Sequence, residues 1–507
     1  MGSKYKGNTA QFVGSVGDAF SAICCLQIFR FTSSKPSKSA IASDEKFIRL
    51  RTNSFVRYCL KRALPQILQF RVCVGIIELI CHVAPPCGRP MQKEAPFFMN
   101  QTLHQDAMKI VDAAISAVLP DAAVQKALVG RSFPGRVYLV AVGKAAWQMA
   151  KAALDSLDTP IEAGIVLTKY DHVKGELPRV TCYEAGHPVP DENSCRGTEA
   201  VLKLTENLTA QDTVLFLLSG GGSALFEQPR TTLAEMQDVT RQLLACGADI
   251  VEMNTLRKRL SGVKGGRFAA HCAPAAVEAI VLSDILGDPL DMIASGPAAP
   301  DMSTCEQAKK IVDKYQLKMS DAARACLDEE TPKQLDNVHT QIIGSVRMLC
   351  KAAGEACETL GYEPVFLTDR LDCEAREAGR FLADILQSHA ANGKRMAFLA
   401  GGETVVHLTG KGLGGRNQEI ALAAAAGLAG LNAAVFSVGS DGTDGPTDAA
   451  GGYADGDTAA ELKSKGMEVA AVLADNDAYH ALKAVDGLIV TGPTGTNVND
   501  VAVALLG

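Results

Sequence analysis

Short apolar runs alternate with longer stretches of helical period over most of the chain. From about residue 136, the runs VYLVAV (Val137–Val142), AGIVLT (163–168), RVTCYEA (179–185), TVLFLLS (213–219) and VEAIVLS (277–283) predict strands with helices between them. One such helix is announced by Thr232 and Glu235, a capping box ahead of a pattern that continues through Leu244. After the polar stretch DEETPKQLDNV (328–338) a second series begins: QIIGS, a helix from about Arg347, EPVFL, a helix through Leu386, then MAFLAGG, TVVHLTG, AAVFSVGS and GLIVTG. The chain is expected to close with a polar loop, TGPTGTN, and a terminal helix. Alternating strands and helices build parallel sheets. The expected fold class is therefore α/β: two tandem three-layer domains with mostly parallel sheets, one over 99–335 and a smaller one over 336–507, facing each other across a cleft.

The first 98 residues break this pattern, and composition sharpens the break. They carry 14 Lys+Arg against 5 Asp+Glu and six of the 15 cysteines, whereas the remaining 409 residues carry 36 against 52. The longest apolar run of the head, VCVGIIELICHV (72–83), contains Glu78 and His82 and is shorter than the about 20 residues a bilayer span needs. Residues 1–98 read as an extension, disordered or upstream of a natural start at Met99, where an amphipathic helix begins. An organellar leader is the other reading, given Arg30, Arg49, Arg51 and Arg57. The protein is expected in the cytoplasm, or in mitochondria if the basic extension is real. The nine cysteines of the body show no zinc spacing and read as reduced thiols.

In open α/β sheets, ligands bind beyond the carboxyl ends of the strands, and the unusual chemistry of this chain sits there. Lys144 and Arg416 each stand at the start of a helix, where the macrodipole disfavours a cation unless an anion is held alongside. Ser219, Gly220, Gly221, Gly222 and Ser223 follow a strand, and three successive glycines suit a nest of amides that binds anions. MNTLRKRLSGVKGGR concentrates Asn254, Arg257, Lys258, Arg259, Lys264 and Arg267 in an otherwise acidic body, which suits a small anion better than a nucleic acid. Two loops rich in aspartate, with Asp284 in one and Asp441 in the other, suit Mg²⁺ carried with phosphates. Asn417 beside Arg416, and Thr494 and Asn497 in the late polar loop, complete the polar set. A nest, cations and carboxylates are the components of phosphoryl transfer. A literal G-x-G-x-x-G at Gly410, Gly412 and Gly415 raises a dinucleotide reading, but it lies late in the chain and lacks an acid about 20 residues on.

Eight ordered stretches, VGKAA, EAGHPVPDENS, SGGGSAL, MNTLRKRLSGVKGG, LSDILGDPLDMIASGP, GKGLGGRNQEIAL, SDGTDGPTDAAGG and TGTNVND, resemble the class II glycerate kinases, whose C-terminal part is the MOFRL domain. The resemblance covers 99–507. It implies a Rossmann-like first domain, ATP-dependent phosphorylation of D-glycerate to 2-phosphoglycerate in the interdomain cleft, and catalytic roles for Lys144 and Arg416. On that footing, glycerate's carboxylate is expected on Arg259 and Ser219, ATP phosphates on Gly220 to Gly222 and Mg²⁺ on Asp284 or Asp441. Asp284 is the candidate base. Ser223, Asn254, Lys264, Asn417, Thr494 and Asn497 complete the expected binding set. The partners are the small molecules glycerate and ATP, with no nucleic acid and no membrane, and the oligomeric state stays open. Rival readings are an NAD(P)H-dependent hydroxypyruvate reductase, phosphorylation at the 3-hydroxyl, and a non-enzymatic sensor of glycerate or nucleotide.

Overall fold

Apolar sequence on both faces of a strand requires cover on both sides, and the first lobe supplies it. The computed structural model describes residues 100–507 except 134 and 159; the expectations for 1–98 and for Met99 lie outside the described residues. Six strands, β1 (Val137–Val142), β2 (Ala163–Lys169), β3 (Val180–Ala185), β4 (Thr213–Leu218), β5 (Ala276–Leu282) and β6 (Val338–Gly344), form one sheet. All its pairs are parallel, in the order β3-β2-β1-β4-β5-β6. This is the order of a Rossmann sheet, whose binding crevice opens where the winding reverses, between β1 and β4. The register, Val137 opposite Thr213 through Val142 opposite Leu218, brings their carboxyl ends out side by side. Residues 143–144 and 219–223 therefore leave the sheet at one point.

The Gly-rich segment is anchored from below. Helix Gly222–Leu225 is followed by Phe226, which packs edge-on against Phe268 at 5.1 Å between ring centroids, and both meet Phe216 of β4. All three rings are fully buried. Burial of each contributes about 2 to 3 kcal/mol, so the loop above them rests on a fixed floor.

The second lobe holds β7 (Glu363–Leu371), β8 (Met396–Gly402), β9 (Ala433–Gly439), β10 (Gly451–Asp455), β11 (Leu488–Ile489) and β12 (Asp500–Leu506) in the order β11-β10-β9-β12-β8-β7. Four of the six strands share one direction, while β10 and β12 run against them. The expected terminal helix is instead β12, a central strand. Its six apolar residues after Asp500 are buried throughout, a run short enough for a strand and too short for a typical helix. TVVHLTG forms no strand, only an isolated bridge between Val405 and Glu374. QIIG of QIIGS, expected in the second series, lies in β6 and pairs with β5, so the chain leaves the first sheet only after Gly344.

The first described helix, Gln101–Ala117, also departs from its expected place. Its cap, Asn100, accepts from Leu103 N–H and donates its own N–H to Asp455 of β10 at 2.9 Å. Asp106 accepts from Tyr362 and Arg395, both at 3.0 Å, and Val118 C=O accepts from Thr496 Oγ1 at 2.8 Å. These partners all belong to the second lobe. The next helix, Pro120–Leu128, packs against Ala146–Ser156 of the first. No described helix is long and apolar enough to cross a membrane.

Candidate active site

The loops after β1 and β4 are locked together at the switch point. Lys144 N–H donates to Gly220 C=O at 2.9 Å, and Ala145 N–H donates to Ser219 Oγ at 3.1 Å. Gly143 has φ +123°, and a Cβ there would lie 2.2 Å from Ser219 Oγ. Ser219, expected to touch substrate, is 3% exposed and is occupied in joining the two loops. A Cβ at Gly220 would fall 2.2 Å from Asp284 Oδ2. One at Gly221 would fall 3.2 Å from Lys144 Cγ and 3.1 Å from His187 Cδ2. Lys144, the Gly-rich loop, Asp284 and His187 thus converge on one place.

His187, in the stretch EAGHPVPDENS, follows β3 and lies outside the expected site set. Burial, with Lys144, Lys169 and His172 nearby, lowers its pKa to about 4, so the imidazole is neutral at pH 7. It makes no hydrogen bond to a described residue. Lys169 ends β2, the position at which a dinucleotide-binding sheet carries its acid for the ribose. A cation there favours an anionic ligand and does not supply the acceptor that the ribose of NAD needs. The strand-end rule that found Lys144 would have found both residues.

Gly221 has φ +89°. Gly221→Ala is expected to cost roughly 1 to 2 kcal/mol in backbone strain and to push Lys144 and His187 apart. Turnover should fall by a larger factor than the loss in thermal midpoint accounts for. Unchanged kcat in the folded variant would contradict this account of the loop.

On the second lobe, Arg416 opens helix Arg416–Leu428. Its guanidinium grips Asp500 at 2.5 Å (Nε) and 3.1 Å (Nη2) and reaches Glu403 at 3.0 Å through Nη1. The amides of Asn417 and Gln418 donate to the Asp444 carboxylate at 3.1 and 2.9 Å. The anion that the helix start calls for is therefore supplied from within the chain, not left to a ligand. The same correction applies to the G-x-G-x-x-G segment. The N–H groups of Gly410, Lys411, Gly412 and Leu413 are taken by Asn476, Asp475 and Asp477. Cβ atoms at Gly410 and Gly412 would lie 2.3 and 2.4 Å from that turn. These glycines permit close packing, and their amides are not available to a pyrophosphate.

The two halves meet in a shared cluster of carboxylates. Burial raises the Asp284 pKa, opposed by Lys144 and reinforced by Glu403, which is bound to Arg416. Burial also pushes the Asp500 carboxyl up to about 6 against the pull of Arg416, while Arg416 itself is held more firmly protonated by Asp500. A Cβ at Gly439 would be 3.4 Å from both Asp441 Oδ1 and Asp500 Oδ1, which places Asp441 at the same edge. Loops of the two lobes also touch. A Cβ at Gly495 would lie 2.4 Å from Gln148 Oε1, and one at Gly287 2.2 Å from Arg370 Nη2. Asp500 and Glu403 lie outside the expected set, and Asp444 belongs to the second aspartate-rich loop expected to suit Mg²⁺.

Several expected binders turn inward. Arg259 is fully buried and donates to Ser303 C=O at 2.8 Å, Glu330 at 3.1 Å and Glu329 C=O at 3.3 Å. Lys264, also fully buried, pairs with Glu227. Asn417 donates to Asp444 at 3.3 Å and accepts from Ser437 at 2.5 Å. Asn254 accepts from Ser295 Oγ at 2.9 Å. Buried polar groups take partners wherever the chain offers them, and these side chains hold loops in place. Thr494 donates to Ser440 C=O at 2.6 Å, and Asn497 accepts from Asn499 N–H at 3.3 Å, so both shape the loop beside Asp441. Ser223 stays partly exposed at the end of the Gly-rich loop.

Among the described residues, no group of three or more His, Cys, Asp or Glu is arranged to hold a metal ion. Asp441 Oδ1 accepts from Thr443, while its other oxygen has no hydrogen-bond partner among the described residues. One or two such carboxylates suffice for Mg²⁺ that arrives on phosphates, so the donor set fits that ion.

Comparison with known proteins agrees with this layout. Residues 106–328 match a domain of unknown function (DUF4147), and residues 396–500 match the MOFRL family. The chain is 51% identical over 416 residues to the D-glycerate 2-kinase of Thermotoga maritima, covering 81% of this chain and 100% of that one. It is 41% identical over 432 residues to the glycerate 2-kinase of Pyrococcus horikoshii, covering 80% and 97%. The crystal structure of glycerate kinase from Thermotoga maritima aligns with a TM-score of 0.78 over 80% of this chain and 100% of that one. Matches of this depth along the whole length of the relatives, on a Rossmann-ordered sheet with a MOFRL lobe, show that the chain belongs to the glycerate 2-kinases of the MOFRL family, which are phosphotransferases.

Proposed function

We propose that the enzyme transfers the γ-phosphoryl group of ATP to the 2-hydroxyl of D-glycerate, releasing ADP and 2-phosphoglycerate, in the cytoplasm. The observation that carries this reading is the pair of cations, Lys144 at the switch point of one lobe and Arg416 on the other, joined through Asp284, which feels both Lys144 and the Glu403 bound to Arg416. Phosphoryl transfer asks a protein mainly for positioning and for compensation of spreading negative charge. Lys144 and Arg416 supply the charge, and the amides of Gly220 to Gly222 orient the phosphates. Asp284, whose carboxyl is made more basic by burial, takes the hydroxyl proton. Asp441 would hold Mg²⁺, which neutralises phosphate charge when bound.

The reductase reading has less support. The amides of the one G-x-G-x-x-G are taken by the turn at 475–477, and β2 ends in Lys169 where the acid for an NAD ribose belongs. The test is direct. Protein with D-glycerate, ATP and Mg²⁺ is expected to release ADP and to form a product that enolase consumes without a mutase. A product that enolase consumes only with a mutase added would move the transfer to the 3-hydroxyl. NADH oxidation with hydroxypyruvate and no ADP would overturn the kinase assignment.

A further inference from the structure

With Arg259 and Ser219 engaged elsewhere, the carboxylate of the acceptor needs another partner. Nearly every cation of the stretch 253–267 is already paired. Lys258 reaches Asp291 at 2.9 Å and Asp301 at 3.2 Å, Arg259 holds Glu330, Lys264 holds Glu227, and Arg267 holds Glu329 at 2.6 Å. Arg257 alone among them makes no side-chain hydrogen bond or ion pair to a described residue. It is nonetheless partly buried: burial works against its charge, opposed only by Glu227, which is committed to Lys264. A partly desolvated guanidinium without its own counterion is costly unless a ligand supplies one.

Its position is fixed relative to the Gly-rich loop. Arg257 lies three residues beyond Asn254 on helix Ile250–Leu260, so the two side chains share a face. Asn254 accepts from Ser295 Oγ, and Ser295 Oγ pairs with Ser223 Oγ at 3.1 Å, at the end of the loop. Ala294, Ser295 and Gly296 have φ of +50°, +60° and +68°, three successive left-handed residues. Such strain in non-glycine residues persists where the surroundings hold it and clusters at functional sites. Here it presents Ser295 to both Asn254 and Ser223.

We propose that Arg257 binds the carboxylate of the acceptor acid and selects for it. The assignment rests on the glycerate kinase reading. The planar guanidinium matches a carboxylate in two parallel hydrogen bonds, and Arg257 shares a helix face with Asn254, which Ser295 and Ser223 link to the phosphate loop. The acceptor would then be anchored by its carboxylate, leaving its hydroxyls toward Lys144.

The experiment is steady-state ADP release by the full chain and by Arg257→Gln and Arg257→Lys, titrating D-glycerate and ATP separately, with thermal midpoints recorded. Arg257→Gln is expected to raise KM for D-glycerate roughly ten- to a hundredfold while KM for ATP stays within about twofold. Arg257→Lys should recover part of the loss. Turnover of glycerol, which lacks the carboxylate, should be equally slow in wild type and variants. An unchanged KM for D-glycerate in Arg257→Gln, or equal rises in both KM values, would overturn the assignment. If Arg257→Gln fails to fold, the same comparison on Arg257→Lys decides. A wild type that releases no ADP with D-glycerate defeats the kinase reading itself, whereas an active wild type with an indifferent Arg257→Gln defeats only the role of Arg257.

Discussion

Lys144→Met is expected to lower kcat by roughly 10² to 10³, the usual loss when one preorganised donor is withdrawn from developing negative charge. Stability should hardly change, because the Lys144 ammonium pairs with no described residue, whereas its backbone N–H, which the substitution keeps, bonds Gly220. The thermal midpoint should therefore stay close to wild type while ADP release collapses. KM for ATP is informative alongside. If Lys144 acts mainly as the phosphoryl group moves, kcat and kcat/KM fall together; if it binds ground-state phosphate, KM rises instead. Retained turnover in a folded Lys144→Met would sink the two-cation account.

Arg416→Ala should be equally inactive, but it should also be less stable. The Asp500 side chain is 8% exposed, and removing the guanidinium leaves that carboxylate without its partner. Breaking a buried pair costs about 3 to 5 kcal/mol. Arg416 is 34% exposed, so solvent screening reduces this to about 2 kcal/mol. The pH dependence has a definite sign. The folded pKa of Asp500, about 6, already lies above that of an unfolded aspartate, so ionised Asp500 weighs against the fold above pH 6. That penalty disappears as the pH falls toward 4. Arg416→Ala should thus lag wild type most at pH 8 and recover much of the gap near pH 5. Adding Asp500→Asn should restore the midpoint and leave kcat low, which separates folding from catalysis. Equal stability of Arg416→Ala and wild type at pH 8 would contradict the pairing.

The parts of this enzyme legible in its sequence are those set by neighbours along the chain. Buried parallel strands such as VYLVAV and TVLFLLS read as apolar runs because both faces are covered, and the loops that follow them carry Lys144 and the three glycines. Reading failed where structure depends on residues far apart. Arg259, Lys264 and Asn417 looked like ligand-binding groups, yet their partners, Glu330, Glu227 and Asp444, lie 71, 37 and 27 residues away. A charge is visible in a sequence; its counterion is not. The same reason hid Arg257, which stands out only after its neighbours are seen to be paired. In the second lobe, β12 enters the middle of the sheet from the end of the chain, and its short apolar run carries no mark of antiparallel pairing.

The path of the chain between the lobes has a mechanical outcome. Among the described residues it crosses twice, once where helix Gln101–Ala117 gives way to Pro120–Leu128 and once beyond Gly344. Both crossings abut one short segment, Val118 through Thr496 and Gly344 through Val498, the latter with 3.5 Å from a Cβ at Gly344 to Val498 Cγ1. Two covalent pins set side by side remove most of the ways in which one body can swivel on another and leave rotation about the line joining them. Any turning of one lobe on the other would then amount to a single angle, with residues 496–498 as its pivot and Asp500, two residues beyond, carried through the smallest arc.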